Sequence, residues 1–426
     1  MQFRHSAMKF YIETFGCTAN FGNSQDAADA LQVMGHQPSS LEDADAVIVN
    51  TCAVTEKTER KILRRLRQLQ GKRLILAGCL SAALPDSICQ ISCRKRLSLL
   101  NRSAAGKIAD LFEDPILAHS RTCSQSPPRV SPAVRQDFCG IINIAEGCNG
   151  SCSYCIVRRA RGKLVSRRQE EVVGAMEKLA MSGIAEVQLA AQDTASYGID
   201  IGTSLPELLK KVTEIPGKFM VRVGMMNPDT VRPILGELIE SFHSPKLYRF
   251  LHMPLQSGSD RVLKCMGRRY AAADFMKIAE AFRTSFPDFT LITDVIVGFP
   301  GEMEDDFLQT VDFIALLQPD KVNVTRFSRR PGTAAAKWYD MPDRIKKDRS
   351  RVMTRLWLEI AAQKNHCYEG KVIDALVTER GRDGTMKARS ANYAGIVVSG
   401  APHLGSWRKI RIVRSNPFYL EGILLP

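Results

Sequence analysis

Residues 140–155, GIINIAEGCNGSCSYC, decide how the rest of the chain is read. The first half is a mostly apolar run of strand length, and the second is a loop with cysteines at 148, 152 and 155. In parallel α/β folds, ligands gather where strands end and loops begin, so a strand emptying into a cysteine loop marks a site. Three thiolates this close suit three corners of a [4Fe–4S] cluster, with one iron left open for a small chelating molecule. The alternative is a structural zinc site with Cys139 as fourth thiolate. Zinc sites, however, favour CxxC pairs, and Cys139 sits on the far side of the strand.

Downstream, the strand-like runs 186–191, 220–225, 248–253, 290–297 and 321–327 alternate with helical patterns such as 167–182 and 302–317. With 140–145 they make six βα units, which predicts an open or partial barrel. Residues 343–365 read as one long basic amphipathic helix. From residue 370 the helical period disappears, and 372–378, 395–398 and 409–413 read as strands of a small appended β-barrel. Upstream, 9–15, 46–50 and 73–77 are buried strands separated by helical segments, a βαβ pattern that predicts a parallel sheet. Between these blocks, residues 115–137 shift to Ser, Pro, Arg and His without periodicity, as a linker does.

Three more cysteines fall into place on this layout. Cys17, Cys52 and Cys79 each stand within two or three residues of the end of one N-terminal strand. Strand ends of an open parallel sheet line one crevice, so these thiols could converge and hold a second cluster. A lone cysteine is more often a small buried residue, and that reading serves Cys89, Cys93, Cys123, Cys265 and Cys367.

The chain has 426 residues, 45% of them apolar and 24% charged, which implies two or three globular units and excludes a disordered chain. No stretch approaches the length a membrane helix needs, and the N-terminus lacks an apolar signal core, so a cytoplasmic protein is expected. Lys and Arg number 59 against 45 Asp and Glu, a net charge of +14 that suits a polyanion, RNA first. Twelve cysteines without an export signal point to metal or redox chemistry rather than a disulfide scaffold.

CNGSCSYC resembles the cysteine loop of radical S-adenosylmethionine enzymes. TFGCTAN, NTCAV and AGCL resemble the three cysteine motifs of the methylthiotransferases, as do HMPLQSGSDRVLKCMGRRY, TDVIVGFPGEMEDDF and FSRRPGT. The C-terminal segment resembles the TRAM domain, an RNA-binding barrel. YIETFGCTANFGNSQDA and CSYCIVRRARGKLVSR are similar to the archaeal and eukaryotic branch, which acts on N6-threonylcarbamoyladenosine of tRNA beside the anticodon. The resemblance implies a Rossmann-like N-terminal α/β domain over 8–117, a linker over 118–137, a partial (βα)6 radical-SAM barrel over 138–366 and a TRAM domain over 367–426. It implies two [4Fe–4S] clusters, at Cys148, Cys152 and Cys155 and at Cys17, Cys52 and Cys79, with S-adenosyl-L-methionine as the second cofactor. The first would let S-adenosylmethionine be split to a 5′-deoxyadenosyl radical, and the second would carry the sulfur that is methylated and transferred to C2 of adenine. An electron donor such as flavodoxin or ferredoxin would serve it, and a monomer is expected. The competing readings are a methylthiotransferase for isopentenyladenosine or a ribosomal protein aspartate, and a non-catalytic iron–sulfur RNA-binding protein.

Strand-end polar residues complete the expected site. Gln192 and Asp193, Gln256 and Ser257, and the strand residues Arg222 and Asp294 are candidates to hydrogen-bond S-adenosylmethionine. Basic tracts at 60–73, with seven basic residues, at 343–365, with another seven, and at 370–426, with nine against four acids, would neutralise RNA phosphates. Arg389, Asn392 and Tyr393 in KARSANY would contact RNA, Tyr393 by stacking on a base.

Overall fold

The computed structural model describes residues 7–69, 71–89, 97–99, 133–136 and 139–426. Most of the 115–137 stretch lies outside the described residues, as do Cys93 and Cys123. Its end does not: Ala133–Gln136 is a strand, paired antiparallel to Cys139–Asn143. Four residues without a hydrophobic period can still add to a sheet edge, because ladder hydrogen bonds are made by backbone.

The N-terminal sheet is parallel, in the order Gln37–Pro38, Lys9–Thr14, Ala46–Thr51, Arg73–Gly78, Leu97–Leu99. Ala46–Thr51 is buried throughout, which is why AVIVNT shows no alternation. The helix Glu56–Gln68 has a Thr55 cap on the Thr58 amide, acids in its first turn and arginines in its last, and turns Ile62 and Leu66 to the core. The helix Thr18–Val33 is unusual: it buries Asn20, Asn23, Ser24 and Asp26. It does so because it lies between this sheet and a second unit. Asn143 Nδ2 donates to Asn23 Oδ1 (2.7 Å) and to Ala19 O (3.2 Å), and Arg167 pairs with Asp26 at 3.2 Å. Gly22 permits the approach, since a Cβ there would sit 2.7 Å from Asn143 Nδ2 and 3.0 Å from Ile141 Cγ2.

The second unit has six parallel strands in chain order: Cys139–Asn143, Glu186–Ala190, Met220–Val223, Phe250–His252, Thr290–Val297 and Lys321–Arg326. They form two ladders of three, joined by a single parallel bridge between Val221 and Leu247. Helices cover the outside, and one apolar core runs from Ile142 through Leu189, Val223, Leu251 and Val295 to Ile360. The result is a partial barrel. The helix Asp343–His366 closes this unit; two of its basic residues are internal, Lys346 pairing with Asp340 at 2.7 Å and Arg349 with Glu302 at 2.6 Å.

The C-terminal unit is a closed barrel in the order Val372–Arg380, Thr385–Ser390, Gly395–Ser399, Leu420–Leu424, Trp407–Ser415. Alternating inward residues fill it, among them Ala375, Val377, Ala388, Ile396, Ile410 and Ile412. It docks at the amino-terminal ends of the barrel strands, where Leu376 and Tyr393 join Tyr248, Phe250 and Met220. Among the described residues no helix is long and apolar enough to cross a membrane.

Candidate functional site

The cysteine loop after the first barrel strand is held by hydrogen bonds that leave its three thiols free of the task. Gly147 has φ +84°, and a Cβ there would collide with the Lys163 carbonyl. Its N–H donates to Gln192 Oε1 at 2.7 Å, and the Cys148 N–H to Gly162 O at 3.2 Å. Farther on, Ser153 donates from N–H to Met266 O and from its hydroxyl to Cys265 O, both at 2.9 Å, and accepts from the Ala335 N–H. Gln192, expected to touch S-adenosylmethionine, therefore fixes the loop that carries the cysteines.

Cys148, Cys152 and Cys155 are half-buried. Burial, and the neighbouring Cys152, push the Cys155 thiol up to about 11, and burial raises Cys148 as well. Thiols in this state deprotonate when a cation takes them. Groups that favour thiolates are already in place. The Gly150 N–H points at Cys148 Sγ from 3.2 Å. The Arg268 guanidinium lies 5.8 Å from the Tyr154 and Tyr270 ring centres, donating to Tyr154 Oη (2.7 Å) and Asn227 Oδ1 (2.8 Å). Cys139 is buried at the opposite end of its strand, beside Glu186, roughly 13 Å of strand away from Asn143. It cannot serve as the fourth ligand of the zinc alternative. Among the described residues no three donors converge on a single ion. A cube of iron and sulfur instead takes its cysteines at separate corners, and a CxxxCxxC loop can reach those.

The other expected cofactor contacts divide. Asp193 is buried, accepts from the Asn227 N–H (3.1 Å) and the Thr230 hydroxyl, and braces the start of Pro228–Val231, while burial raises it to about 6. Ser257 is likewise engaged, with the Thr310 hydroxyl at 3.2 Å and the Ser259 N–H. Arg222 donates to Gln188 at 3.2 Å and lies over the rings of Phe250 (5.0 Å) and Tyr393 (5.3 Å), so it belongs to the barrel's closed end. Gln256 and Asp294 stand side by side, the Gln256 N–H donating to Asp294 O at 2.8 Å. Gln256 has φ +72°, a conformation costly for a residue with a side chain. Asp294 accepts from His252 Nε2 (2.7 Å) and Asn323 Nδ2 (2.9 Å); burial alone would raise it, yet these bonds hold it below the ordinary carboxylate value. His252 and Asn323 are invisible to sequence reading, because strand pairing, not spacing, brings them beside Asp294.

The N-terminal cysteines do share one end of their sheet. Cys17 is the N-cap of Thr18–Val33 and exposed; Cys52 follows Ala46–Thr51 and Cys79 follows Arg73–Gly78, both buried. Burial pushes the Cys52 thiol up to about 11, with Cys79 and Cys17 adding to the effect. Arg161 Nε lies 3.3 Å from Cys79 Sγ. No local pattern reveals this residue either, since its partner lies 82 positions away. Three buried or capping thiols beside a guanidinium fit a thiolate-bound cluster. Cys265 and Cys367 are exposed, and Cys89 ends the helix Pro85–Cys89.

Arg389, Asn392 and Tyr393, expected at RNA, are placed against the central barrel. Tyr393 packs 4.8 Å from the rings of both Tyr248 and Phe250, with Arg389 over its ring at 4.7 Å. Asn392 is buried and donates to Asp288 O (2.6 Å) and Tyr368 Oη (2.8 Å). They join the C-terminal barrel to the central one. The basic residues left exposed on that barrel include Arg408, Lys409 and Arg411 on Trp407–Ser415.

Residues 142–314 match the Radical SAM superfamily, 9–97 the Uncharacterized protein family UPF0004 and 367–425 the TRAM domain. A probable threonylcarbamoyladenosine tRNA methylthiotransferase of Pyrococcus horikoshii is 40% identical over 98% of this chain and 100% of its own. The threonylcarbamoyladenosine tRNA methylthiotransferase of Homo sapiens is 32% identical over 97% of this chain and 73% of its own. Among solved structures, the radical S-adenosylmethionine methyltransferase TsrM of Kitasatospora setae aligns with TM-score 0.54 and 15% identity, over 78% of this chain and 75% of that one; this likeness concerns the fold alone.

Proposed function

This chain belongs to the radical S-adenosylmethionine methylthiotransferase family, and we propose that it adds a methylthio group to C2 of N6-threonylcarbamoyladenosine in tRNA, beside the anticodon. The observation that carries this reading is the pair of cysteine triads set on one frame, joined by the short helix Val157–Arg161. Cys148, Cys152 and Cys155 would hold one [4Fe–4S] cluster, and Cys17, Cys52 and Cys79 a second. When bound, the first cluster with S-adenosylmethionine supplies the one-electron chemistry that adenine C2–H requires, being neither acidic nor electrophilic.

The chain's own residues position and shield. Gln192 and the bonds of Ser153 keep the cysteine loop in one geometry. Asp294, kept ionised by His252 and Asn323, would accept hydrogen bonds from S-adenosylmethionine, with Gln256 beside it. Asp193 and Ser257 support these positions through the turns they brace. Arg408, Lys409 and Arg411, with Arg351 and Arg355 of the long helix, would meet tRNA phosphates. An external donor such as flavodoxin or ferredoxin would deliver the electron to a monomer acting in the cytoplasm. Mass spectrometry of tRNA nucleosides from cells with and without the gene tests the reading. Loss of the methylthio form with accumulation of N6-threonylcarbamoyladenosine is expected, and an unchanged nucleoside profile would overturn it.

A further inference from the structure

Arg161 stands between the two triads. It ends the helix Val157–Arg161, six residues after Cys155. Ile156 and Ala160 of that segment pack among Cys52, Ala53, Cys79 and Leu80. Arg161 is only 4% exposed, so its charge is met by protein groups. Nε lies 3.3 Å from Cys79 Sγ, Nη1 donates to Glu146 Oε1 at 3.2 Å, and Nη2 donates to Asn20 Oδ1. Glu146 stands two residues before Cys148, and Asn20 Oδ1 is also 4.0 Å from Cys17 Sγ. One side chain therefore touches a ligand of the N-terminal triad and the approach to the other.

We propose that Arg161 is a positioning residue that tunes the N-terminal cluster, its N–H···Sγ bond to Cys79 raising that cluster's reduction potential and Glu146 tempering the effect. This rests on the reading that Cys17, Cys52 and Cys79 hold a cluster. Reduction adds an electron to an already anionic group, so a nearby N–H donor and positive charge favour the reduced form. A carboxylate beside the guanidinium opposes it.

The test is a dithionite titration with redox mediators, followed by electron paramagnetic resonance, on the full-length chain carrying Cys152→Ala so that the N-terminal cluster reports alone. Adding Arg161→Met should lower the reduced-to-oxidised ratio at least tenfold at the parent's midpoint, a shift of about 59 mV for one electron. Arg161→Lys should recover most of the shift, and Glu146→Gln should move the midpoint the opposite way. If Arg161→Met leaves the midpoint unchanged, or if Arg161→Met and Glu146→Gln move it in the same direction, the inference fails and Arg161 is only a strut. Should Arg161→Met not take up iron, the Glu146→Gln and Arg161→Lys midpoints decide alone. Adding Cys17→Ala to the same background should abolish the signal; a signal that survives overturns the cluster assignment itself, a separate failure.

Discussion

Asn143 Nδ2 lies 2.7 Å from Asn23 Oδ1, a buried hydrogen bond that pins the mouth end of the first barrel strand to the N-terminal helix. Cys17 caps the same helix, and the same strand leads to Cys148. Breaking such a bond leaves a buried amide unsatisfied, at about 1–3 kcal/mol. The two cysteine triads are thus held in a fixed relation by hydrogen bonds that add direction to the apolar packing of Ile156 and Ala160 and of Ala19 against Ile141.

Two clusters require two separable iron pools. Anaerobic reconstitution should give about eight irons per chain, and Cys152→Ala and Cys17→Ala should each remove about half. Iron assay of the three proteins checks this; loss of all iron on either change, or of none, would exclude two independent sites.

The triads should also separate in chemistry. Alanine at Cys148, Cys152 or Cys155 should abolish 5′-deoxyadenosine formation from S-adenosylmethionine. Cys52→Ala should leave it in place while methylthio-tRNA disappears. Chromatography of the nucleosides reads both products from one reaction, and normal sulfur transfer by Cys52→Ala would contradict the role given to the N-terminal crevice.

The parts of the fold legible in the sequence are those where a strand is buried against helices. Thr290–Val297 is delimited to the residue, since a run rich in β-branched residues between turns at Pro287 and Gly298 leaves little choice. Thr385–Ser390 does not stand out, because its inward Met386, Ala388 and Ser390 alternate with Lys387 and Arg389, and KARS reads as a basic tract. Tyr393 misleads for a related reason. An aromatic near arginine resembles a base-stacking site until the partner surface of Tyr248 and Phe250 is known. Docking between units has no period. The polar burial of Thr18–Val33 is hidden in the same way, as is the pairing of Arg161 with Cys79.

The buried Asp26–Arg167 pair predicts a pH signature. Burial raises the Asp26 carboxyl from 3.8 to about 6 despite Arg167. A carboxyl with a folded value above its unfolded one binds its proton more tightly in the native state. Its contribution is full below about pH 4 and lost as pH rises through about 6. Asp26→Asn should therefore flatten the stability–pH slope between those values, by up to about 3 kcal/mol across the window. Urea melts of both proteins at about pH 4.5 and pH 7, near the two ends of that window, measure it. Parallel pH dependence would show that Asp26 titrates normally.

The C-terminal barrel should answer differently to core and surface substitutions. Removing residues 370–426 would uncover Tyr248, Phe250 and Arg222, so deletion confounds binding with folding. Point changes separate them. Tyr393→Ala removes a half-buried aromatic packed against two rings and should cost about 2–3 kcal/mol, seen as a lower Tm with the salt dependence of tRNA binding kept. Gln at Arg408, Lys409 and Arg411 touches only exposed side chains and should leave Tm alone. It should weaken tRNA binding and flatten the plot of log affinity against log salt, by roughly 0.7–0.9 for each phosphate that is no longer neutralised. The reason is physical: phosphate neutralisation releases counterions, and an aromatic wedged between domains releases none. A salt series on the three proteins beside their melts gives the outcome. An unchanged slope in the triple Gln variant would move the tRNA interface to the helix Asp343–His366, whose Arg351 and Arg355 are exposed.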